Sequence, residues 1–323
     1  MAKKTRIFID PSHSSWVLGG LAREIAYRKQ ELFEEPQEIS NLRSKKFFQS
    51  LIVAVKTIFS KEPILFSSVT PLENYLKFVL INRNYKALIF THQDGSFSSK
   101  HLKIFKKVNL FFVFSEIDKL KLIECGVVVP IVKFIGGINT ELFHEQVLDG
   151  DKIVFIGTPV ERKNPGLFLE FVSANPNLKF KILGRGWANS QYWNKLESLG
   201  NLEYQEVSGP VSSFDLMGCS HYLMLSRIEG GPMTLIEAVA AGLVPICAKT
   251  GIVEDFLGAT GYQAQILSSP INFEEIIDLI HKDYSKEYIE ASSKRAKYYS
   301  IERLAGIFEN GIKSHFYLDL EDK

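Results

Sequence analysis

Two carboxylates with seven residues between them, Glu229 and Glu237, bracket the stretch of this chain most able to do chemistry: Ser226-Arg-Ile-Glu-Gly-Gly-Pro-Met-Thr-Leu-Ile-Glu-Ala-Val-Ala-Ala-Gly242. It follows a short apolar run, His221–Leu225, of the kind that forms a buried strand. Gly230 and Gly231 allow a tight backbone path. Pro232 suits the first position of a helix, and Gly242 suits its end. The pattern therefore predicts strand, glycine turn and helix start. Free N–H groups and the helix dipole at such a start favour an anion, above all a phosphate. Met233 and Thr234 would sit in that first turn. Glu229 has two readings. It can be a carboxylate stabilised by the helix dipole and nothing more, or it can accept hydrogen bonds from hydroxyl groups. One acid on each flank of a phosphate-binding turn suits a nucleotide sugar, with one for the sugar hydroxyls and one for the ribose diol.

Cations stand in a second place. The strand pattern Lys152–Ile156 runs into Gly157-Thr-Pro-Val-Glu-Arg-Lys-Asn164. There Arg162 and Lys163 either stabilise negative charge on a leaving group or belong to a solvated loop. Phe180-Lys-Ile-Leu-Gly-Arg-Gly186 begins like a dinucleotide fingerprint, but position 189 is Asn189, so the third glycine is missing. No nicotinamide or flavin cofactor is expected. In the first half, Ile7–Asp10 leads into a loop ending Leu18-Gly19-Gly20, with His13 inside it. His92 follows a strand at its C-terminal end, with Asp94 two residues on as an acceptor-side alternative. The nearest acid pair to a metal site is Asp149-Gly-Asp151, in a predicted linker, so no metal is expected.

These residues need elements to hold them. Short apolar runs alternate with longer amphipathic stretches, the mark of parallel sheets covered by helices. In the first half, strands are predicted at Arg6–Asp10, Ile64–Ser67, Ala87–Thr91, Leu110–Phe114 and Ile131–Ile135. The rhythm restarts at Lys152–Ile156 and continues through Phe180–Leu183, Leu202–Tyr204, His221–Leu225 and Val244–Ala248. A helix is expected at Ser213–Met217, and helical pattern dominates from Asn272. Apolar periodicity lapses over Gly136–Asp151. The expected domains are therefore residues 1–147 and 148–323, two parallel-sheet units whose strand C-termini face a cleft between them.

Bulk properties exclude several classes. Of the 323 residues, 46% are hydrophobic and 23% charged, ordinary values for a globular chain. Lys plus Arg (38) nearly cancels Asp plus Glu (37), so the basic excess of a nucleic-acid binder is missing. The three cysteines, Cys125, Cys219 and Cys247, form no CxxC pair and fit a reducing, cytoplasmic setting. The first apolar run, Ile7–Ile9, is too short for a signal-peptide core. No segment approaches the roughly 18 apolar residues of a membrane span.

The cluster around Glu229 resembles the E-x7-E element of retaining GT-B glycosyltransferases, family four in particular. Ala238-Val-Ala-Ala-Gly-Leu-Val-Pro245 is similar to that family's continuation, with one extra residue before the proline. Thr250-Gly-Ile-Val-Glu254 resembles its Gly-x-x-Glu turn. Lys163, six residues after Gly157, matches the family lysine, whereas Thr158 occupies the position of its arginine. Gly184-Arg-Gly186 resembles the strand-end glycines, and Val132–Phe143 the passage between domains. In the first domain Gly19, Gly20 and His92 match more loosely. The resemblance implies a GT-B fold with two Rossmann-like domains, and final helices (Glu287–Glu309) packing back on the first. It implies a retaining, metal-independent hexosyltransferase that acts in polysaccharide or glycoconjugate synthesis. The catalytic residues would be Glu229 and His92. The donor, a nucleotide-diphosphate sugar, would be held by Gly20, Arg162, Lys163, Gly230, Gly231, Met233, Thr234 and Glu237. The acceptor would be a glycan, a lipid-linked sugar or another hydroxyl compound. A nucleotide-sugar epimerase or hydrolase of the same fold remains open, as does a catalytically silent binding subunit.

Arg43-Ser-Lys-Lys-Phe-Phe-Gln-Ser-Leu-Ile-Val-Ala-Val-Lys-Thr-Ile-Phe59 mixes basic and bulky apolar residues. It fits a helix packed on a sheet through Phe47, Phe48, Leu51, Ile52, Val55, Ile58 and Phe59. It also fits a helix resting on an anionic bilayer, at the cytoplasmic face of a membrane.

Overall fold

The computed structural model describes residues 4–10, 17–40, 47–58, 60, 62–78, 84–90, 99–143, 150–207 and 209–317. The chain divides into two compact units. Unit 1 is Met1–Gly137 together with Ile301–Lys323, and unit 2 is Ile138–Ser300. The division thus falls ten residues before the expected 147/148 boundary. It also splits the C-terminal helices, because the last one completes unit 1.

Unit 1 holds a six-stranded parallel sheet in the order β2-β1-β3-β4-β5-β6. Its elements alternate as β1 (Arg6–Ile9), α1 (Val17–Arg28), β2 (Gln37–Glu38), α2 (Phe47–Ile58), β3 (Ile64–Phe66) and α3 (Val69–Phe78). They continue as β4 (Lys86–Phe90), α4 (Ser99–Phe105), β5 (Leu110–Val113), α5 (Glu116–Glu124) and β6 (Ile131–Lys133). Beyond the leading Arg6 of β1 and Lys86 of β4, the inner strands are apolar because helices cover both faces. On one face Phe66, Leu88, Phe111 and Val113 form a core with Ala54 of α2, Leu72 and Tyr75 of α3, Ile104 of α4 and Leu122 of α5. The other face takes α1 and the last helix, α12 (Ile301–Ile312). Phe308 of α12 stacks on Phe112 with centroids 4.2 Å apart and is fully buried. That burial alone is worth about 1.5–3 kcal/mol. Gly311 lets the helix come this close, since a Cβ there would lie 2.8 Å from the Phe112 ring.

Unit 2 repeats the architecture with β7 (Lys152–Ile156), α6 (Pro165–Ala174), β8 (Lys179–Leu183), α7 (Trp193–Glu197), β9 (Leu202–Gln205) and β10 (Cys219–Met224). After these come α8 (Met233–Ala240), β11 (Val244–Ala248), α9 (Val253–Thr260), β12 (Ile266–Leu267), α10 (Phe273–Ile280) and α11 (Lys286–Lys297). The strand order is β12-β11-β10-β7-β8-β9, all parallel. The chain moves outward from β7 to β9 and then returns to β7's other side as β10. The sheet therefore changes direction between β7 and β10, where open α/β folds bind ligands at the strand C-termini. Of the two helices expected to pack back on the first domain, only α12 joins unit 1. α11 packs on α8 and α9 of unit 2, and its Ser293 hydroxyl donates to the Ala240 carbonyl at 2.6 Å. The segment Ser213–Met217 forms turns rather than the expected helix. Asp215 accepts from the Ser212 amide (2.9 Å) and hydroxyl (2.7 Å), a local bonding pattern that competes with helix.

Candidate functional site

Two loops meet at the change of direction in unit 2, one leaving β7 and one leaving β10. Gly157 ends β7 at φ +149°. Its amide donates to the Leu183 carbonyl at 2.8 Å, and its carbonyl accepts from the Trp187 indole at 2.7 Å. A Cβ on Gly184 would stand 2.1 Å from the Gly157 oxygen, so the two strand ends touch backbone to backbone. A Cβ on Gly157 would lie 2.7 Å from Cδ of Lys163. The lysine stem runs along that bare glycine. A single 3-10 turn, Glu161–Lys163, ends in Asn164 at φ 59°. The Asn164 side-chain oxygen accepts from Arg227 at 3.1 Å, and the Arg227 amide donates to the Arg162 carbonyl at 2.8 Å. The two loops are thereby stitched side by side.

Glu229 stands at the seam. It is 8% exposed, and its carboxylate meets Lys163 Nζ at 2.8 Å, Arg162 Nη1 at 2.7 Å and the Ser226 hydroxyl at 3.1 Å. Burial works against its ionisation, but Lys163, Arg162 and the Ser226 hydrogen bond outweigh it and hold the carboxyl below the usual carboxylate range. The backbone here is clamped as well. The Glu229 amide donates to Thr250 Oγ1 at 3.0 Å, and the Gly230 carbonyl accepts from Ile252 at 3.1 Å. Gly251, at φ 54°, leaves no room for a side chain, since a Cβ would lie 2.3 Å from the Gly230 oxygen. Two cations against one anion leave this cluster with a net positive charge.

Helix α8 begins next to that charge. Its cap is Pro232, which the sequence pattern places one residue later as the first helical position, and no side chain caps the helix. The amides of Met233 and Thr234 precede the first intrahelical bond. The Thr234 hydroxyl is paired with the Tyr222 hydroxyl of β10 at 2.9 Å, which ties the helix start to the sheet. Gly230 and Gly231, read from the sequence as allowing a tight path, run through this turn without positive φ. The tight conformations belong to Gly157, Gly184 and Gly251. Glu237, in the second turn of α8, is 7% exposed. Burial pushes its pKa up to about 8, and a hydrogen bond from the Val211 backbone only partly offsets this. At neutral pH the unit thus presents one ionised and one protonated carboxyl, a separation of roles that enzymes use for acid–base and hydroxyl recognition.

The structure gathers Arg162, Lys163, Glu229, Gly230, Gly231, Met233, Thr234 and Glu237 within unit 2. Gly20 belongs to unit 1, where it lies inside the first turn of α1 rather than in a loop before it, because α1 begins at Val17. His92, His13 and Asp94 lie outside the described residues. Thr158 brings no charge, and Arg162 provides the second cation on Glu229. Ser226, Asn164 and Arg227 support the site and were not singled out from the sequence. Ser226 and Arg227 stand inside the E-x7-E stretch itself, and Asn164 directly follows Lys163. Among the described residues no cluster of three or more His, Cys, Asp or Glu could hold a metal ion.

Known proteins resemble this chain in family and in fold. The family described as glycosyl transferases group 1 matches residues 140–303. Among solved structures, the chain is similar to Anabaena Alr3699/HepE, whose structure is described in complex with UDP and glucose. The TM-score is 0.75 at 13% identity, covering 96% of this chain and 100% of the other. It is similar to a sucrose-phosphate synthase from Thermosynechococcus elongatus, with TM-score 0.75 and 11% identity over 98% and 100% of the two chains. It is also similar to the lipopolysaccharide outer core galactosyltransferase WaaB, with TM-score 0.69 and 12% identity over 96% and 99%. Each of these likenesses establishes the two-domain GT-B fold. No curated protein sequence matches the chain.

Proposed function

Because the chain belongs to the glycosyl transferases group 1 family and is therefore a glycosyltransferase, we propose that it moves a hexose-type sugar from a nucleoside-diphosphate donor to a hydroxyl acceptor with retention of configuration. The observation that carries this reading is the triad of Lys163, Arg162 and Glu229 beside the uncapped start of α8. A diphosphate has two needs at such a place, backbone N–H donors and cations. The amides of Gly230, Gly231, Met233 and Thr234 would supply the first, and Lys163 with Arg162 the second.

The chemistry follows from where charge develops. As the anomeric C–O bond breaks, the leaving diphosphate gains negative charge, and Lys163, Arg162 and the helix start stabilise it. Moving the cations onto phosphate loosens their hold on Glu229, whose carboxylate then accepts hydrogen bonds from the sugar hydroxyls and orients the ring. Glu237, neutral at physiological pH, bonds the ribose diol as both donor and acceptor. The acceptor oxygen attacks on the face the diphosphate leaves, and its proton passes to the departing phosphate oxygen. His92 is assigned as a second catalytic residue and Gly20 as a further donor contact in this reading. In this reading cations and helix start do the work a divalent metal does elsewhere, so no metal is required. UDP or UDP-glucose in the HepE structures and the description of WaaB as a lipopolysaccharide outer core galactosyltransferase support a sugar nucleotide donor and a glycan or lipid-linked acceptor in polysaccharide or glycoconjugate synthesis.

Thermal unfolding in the presence of UDP-, GDP- and ADP-sugars tests the proposal. A ligand that binds only the folded chain stabilises it by RT ln(1 + [L]/Kd), about 2.7 kcal/mol at a hundredfold excess over Kd. One donor class should raise Tm, and Lys163→Ala should abolish the rise. No shift with any of them would remove the basis of the reading. Thr158, in place of a cation, favours a second reading, a subunit that binds a sugar nucleotide without turning it over. A Tm rise without product in the presence of glycan or lipid-linked acceptors would support that one. Rapid donor consumption without acceptor would instead indicate an epimerase or hydrolase.

A further inference from the structure

Helix α2 of unit 1 is turned the opposite way from an ordinary surface helix. The face it lays on the sheet is small and polar: Ser50, Ala54 and Thr57 are at most 1% exposed. Hydrogen bonds hold that face. The Thr57 hydroxyl pairs with the buried Tyr75 hydroxyl at 2.7 Å, and the Ser50 hydroxyl accepts from the Ser40 amide at 2.9 Å. Val53 packs partly against the core at the edge of this face, while three other bulky residues point away from it, with Phe48 73%, Ile52 55% and Val55 39% exposed. The spacing i, i+4, i+7 puts these three on one stripe. The sequence pattern offered both packings for this helix, and for these three residues the sheet-packed one does not hold.

Positive charge accompanies the stripe along the sequence. From residue 41 to residue 61 the chain carries Arg43, Lys45, Lys46, Lys56 and Lys61 and no acid. Helices α3 and α4 share the sheet face with α2. Between them runs an open groove with Leu76 and Ile104 in its lining and Lys77, Lys100, Lys103 and Lys107 around it. Among the described residues the one acid lining the groove, Glu73, is engaged by Lys100 at 2.8 Å. The whole chain has a net charge of only +1, so this basic layer is a local concentration.

We propose that the α2–α3–α4 layer is a docking surface for an anionic lipid bilayer. Phe48, Ile52 and Val55 enter below the headgroups, and Lys56 of α2 and the lysines of the α3–α4 groove meet lipid phosphates. An apolar stripe flanked by lysines binds in this manner, lying in the interface plane without spanning it. No helix among the described residues is long and apolar enough to cross a membrane. The surface uses none of the residues assigned to the sugar-nucleotide site, so it stands or falls independently of that reading.

Co-sedimentation of the full chain with phosphatidylcholine vesicles, with and without one-third phosphatidylglycerol, tests it. Binding should require phosphatidylglycerol and weaken as salt rises. Replacing Lys77, Lys103 and Lys107 by Gln should lower partitioning about fivefold per lysine, on the order of a hundredfold together. The variant Phe48→Ser/Ile52→Ser/Val55→Ser should lower it roughly tenfold or more, with an unchanged or higher Tm. Should that variant fold poorly, the lysine variant still decides. No binding to anionic vesicles at low salt would overturn the proposal, as would equal binding by the lysine variant. A dimer in size-exclusion chromatography that the serine variant dissolves would also overturn it, by assigning the stripe to a second copy of the chain.

Discussion

Replacing Glu237 by Gln should make this protein more stable at neutral pH and change nothing at mildly acidic pH. The reason lies in proton accounting. In the unfolded chain the Glu237 carboxyl has an ordinary pKa of 4.5, and in the folded chain burial raises it to about 8. Below pH 4.5 both states carry the proton and the group has no effect. Between 4.5 and about 8 the unfolded chain releases a proton that the folded chain keeps, so stability falls as pH rises. Each pH unit costs 1.36 kcal/mol. From pH 4.5 to 7.5 the loss is on the order of 4 kcal/mol, with the pKa value itself good to about a unit. Glutamine is nearly isosteric with the protonated acid and still accepts from the Val211 amide, but it has no proton to lose. The Tm advantage of Glu237→Gln should therefore grow from near zero at pH 4.5 to on the order of 10 °C at pH 7.5. Scanning calorimetry or dye-monitored unfolding across that range reads it directly. A gap between variant and wild type that does not change with pH would refute the claim that Glu237 is buried and protonated at neutral pH.

Lys163→Ala should lower the rate of sugar transfer by about two to three orders of magnitude, the cost of removing one charge stabiliser from a transition state, measured as kcat/KM with the identified donor. Glu229→Ala should lower transfer strongly too, and it should also cost about 3–5 kcal/mol of stability, because it strands Lys163 beside a second cation; equal Tm values for variant and wild type would contradict the ion-pair geometry. The stability Glu229 contributes is present above its unfolded pKa of 4.5 and is lost as pH falls below it, since its folded pKa is depressed. Gly251→Ala puts a Cβ 2.3 Å from the Gly230 oxygen at φ 54°, so it should weaken donor binding at least tenfold in calorimetric titration although no contact to the donor is removed. Transfer assayed in excess EDTA should proceed at the full rate.

The parts legible in the sequence were those set by local pattern. Leu110–Val113 and Ile153–Ile156 are buried on both faces and read as continuous apolar runs. The E-x7-E spacing and the lysine after Gly157 identified Glu229 and Lys163 one by one. Their contact was not legible, because it depends on β10 lying beside β7, a choice of topology that no local pattern encodes. Two edge strands escaped for a different reason. β2 is only Gln37–Glu38 and β12 only Ile266–Leu267, too short for any period to show. The glycines were recognised by identity, but which of them adopt positive φ follows from the close approach of neighbouring loops, as at Gly251. The amphipathic pattern of Ile301–Ile312 announced a helix without saying which sheet it would cover.

That last helix has a consequence for how the protein is made. Ribosomes deliver residues 1–137 first, then all of unit 2, and only afterwards the segment carrying Phe308 and Gly311. Until then α1 alone lies on that side of the first sheet and Phe112 lacks its cover, so the leading unit cannot finish while the chain is still growing. A stop codon before position 301 would accordingly damage the beginning of the protein more than its end. A tag or fusion that disturbs the C-terminus should lower yield through aggregation of nascent chains.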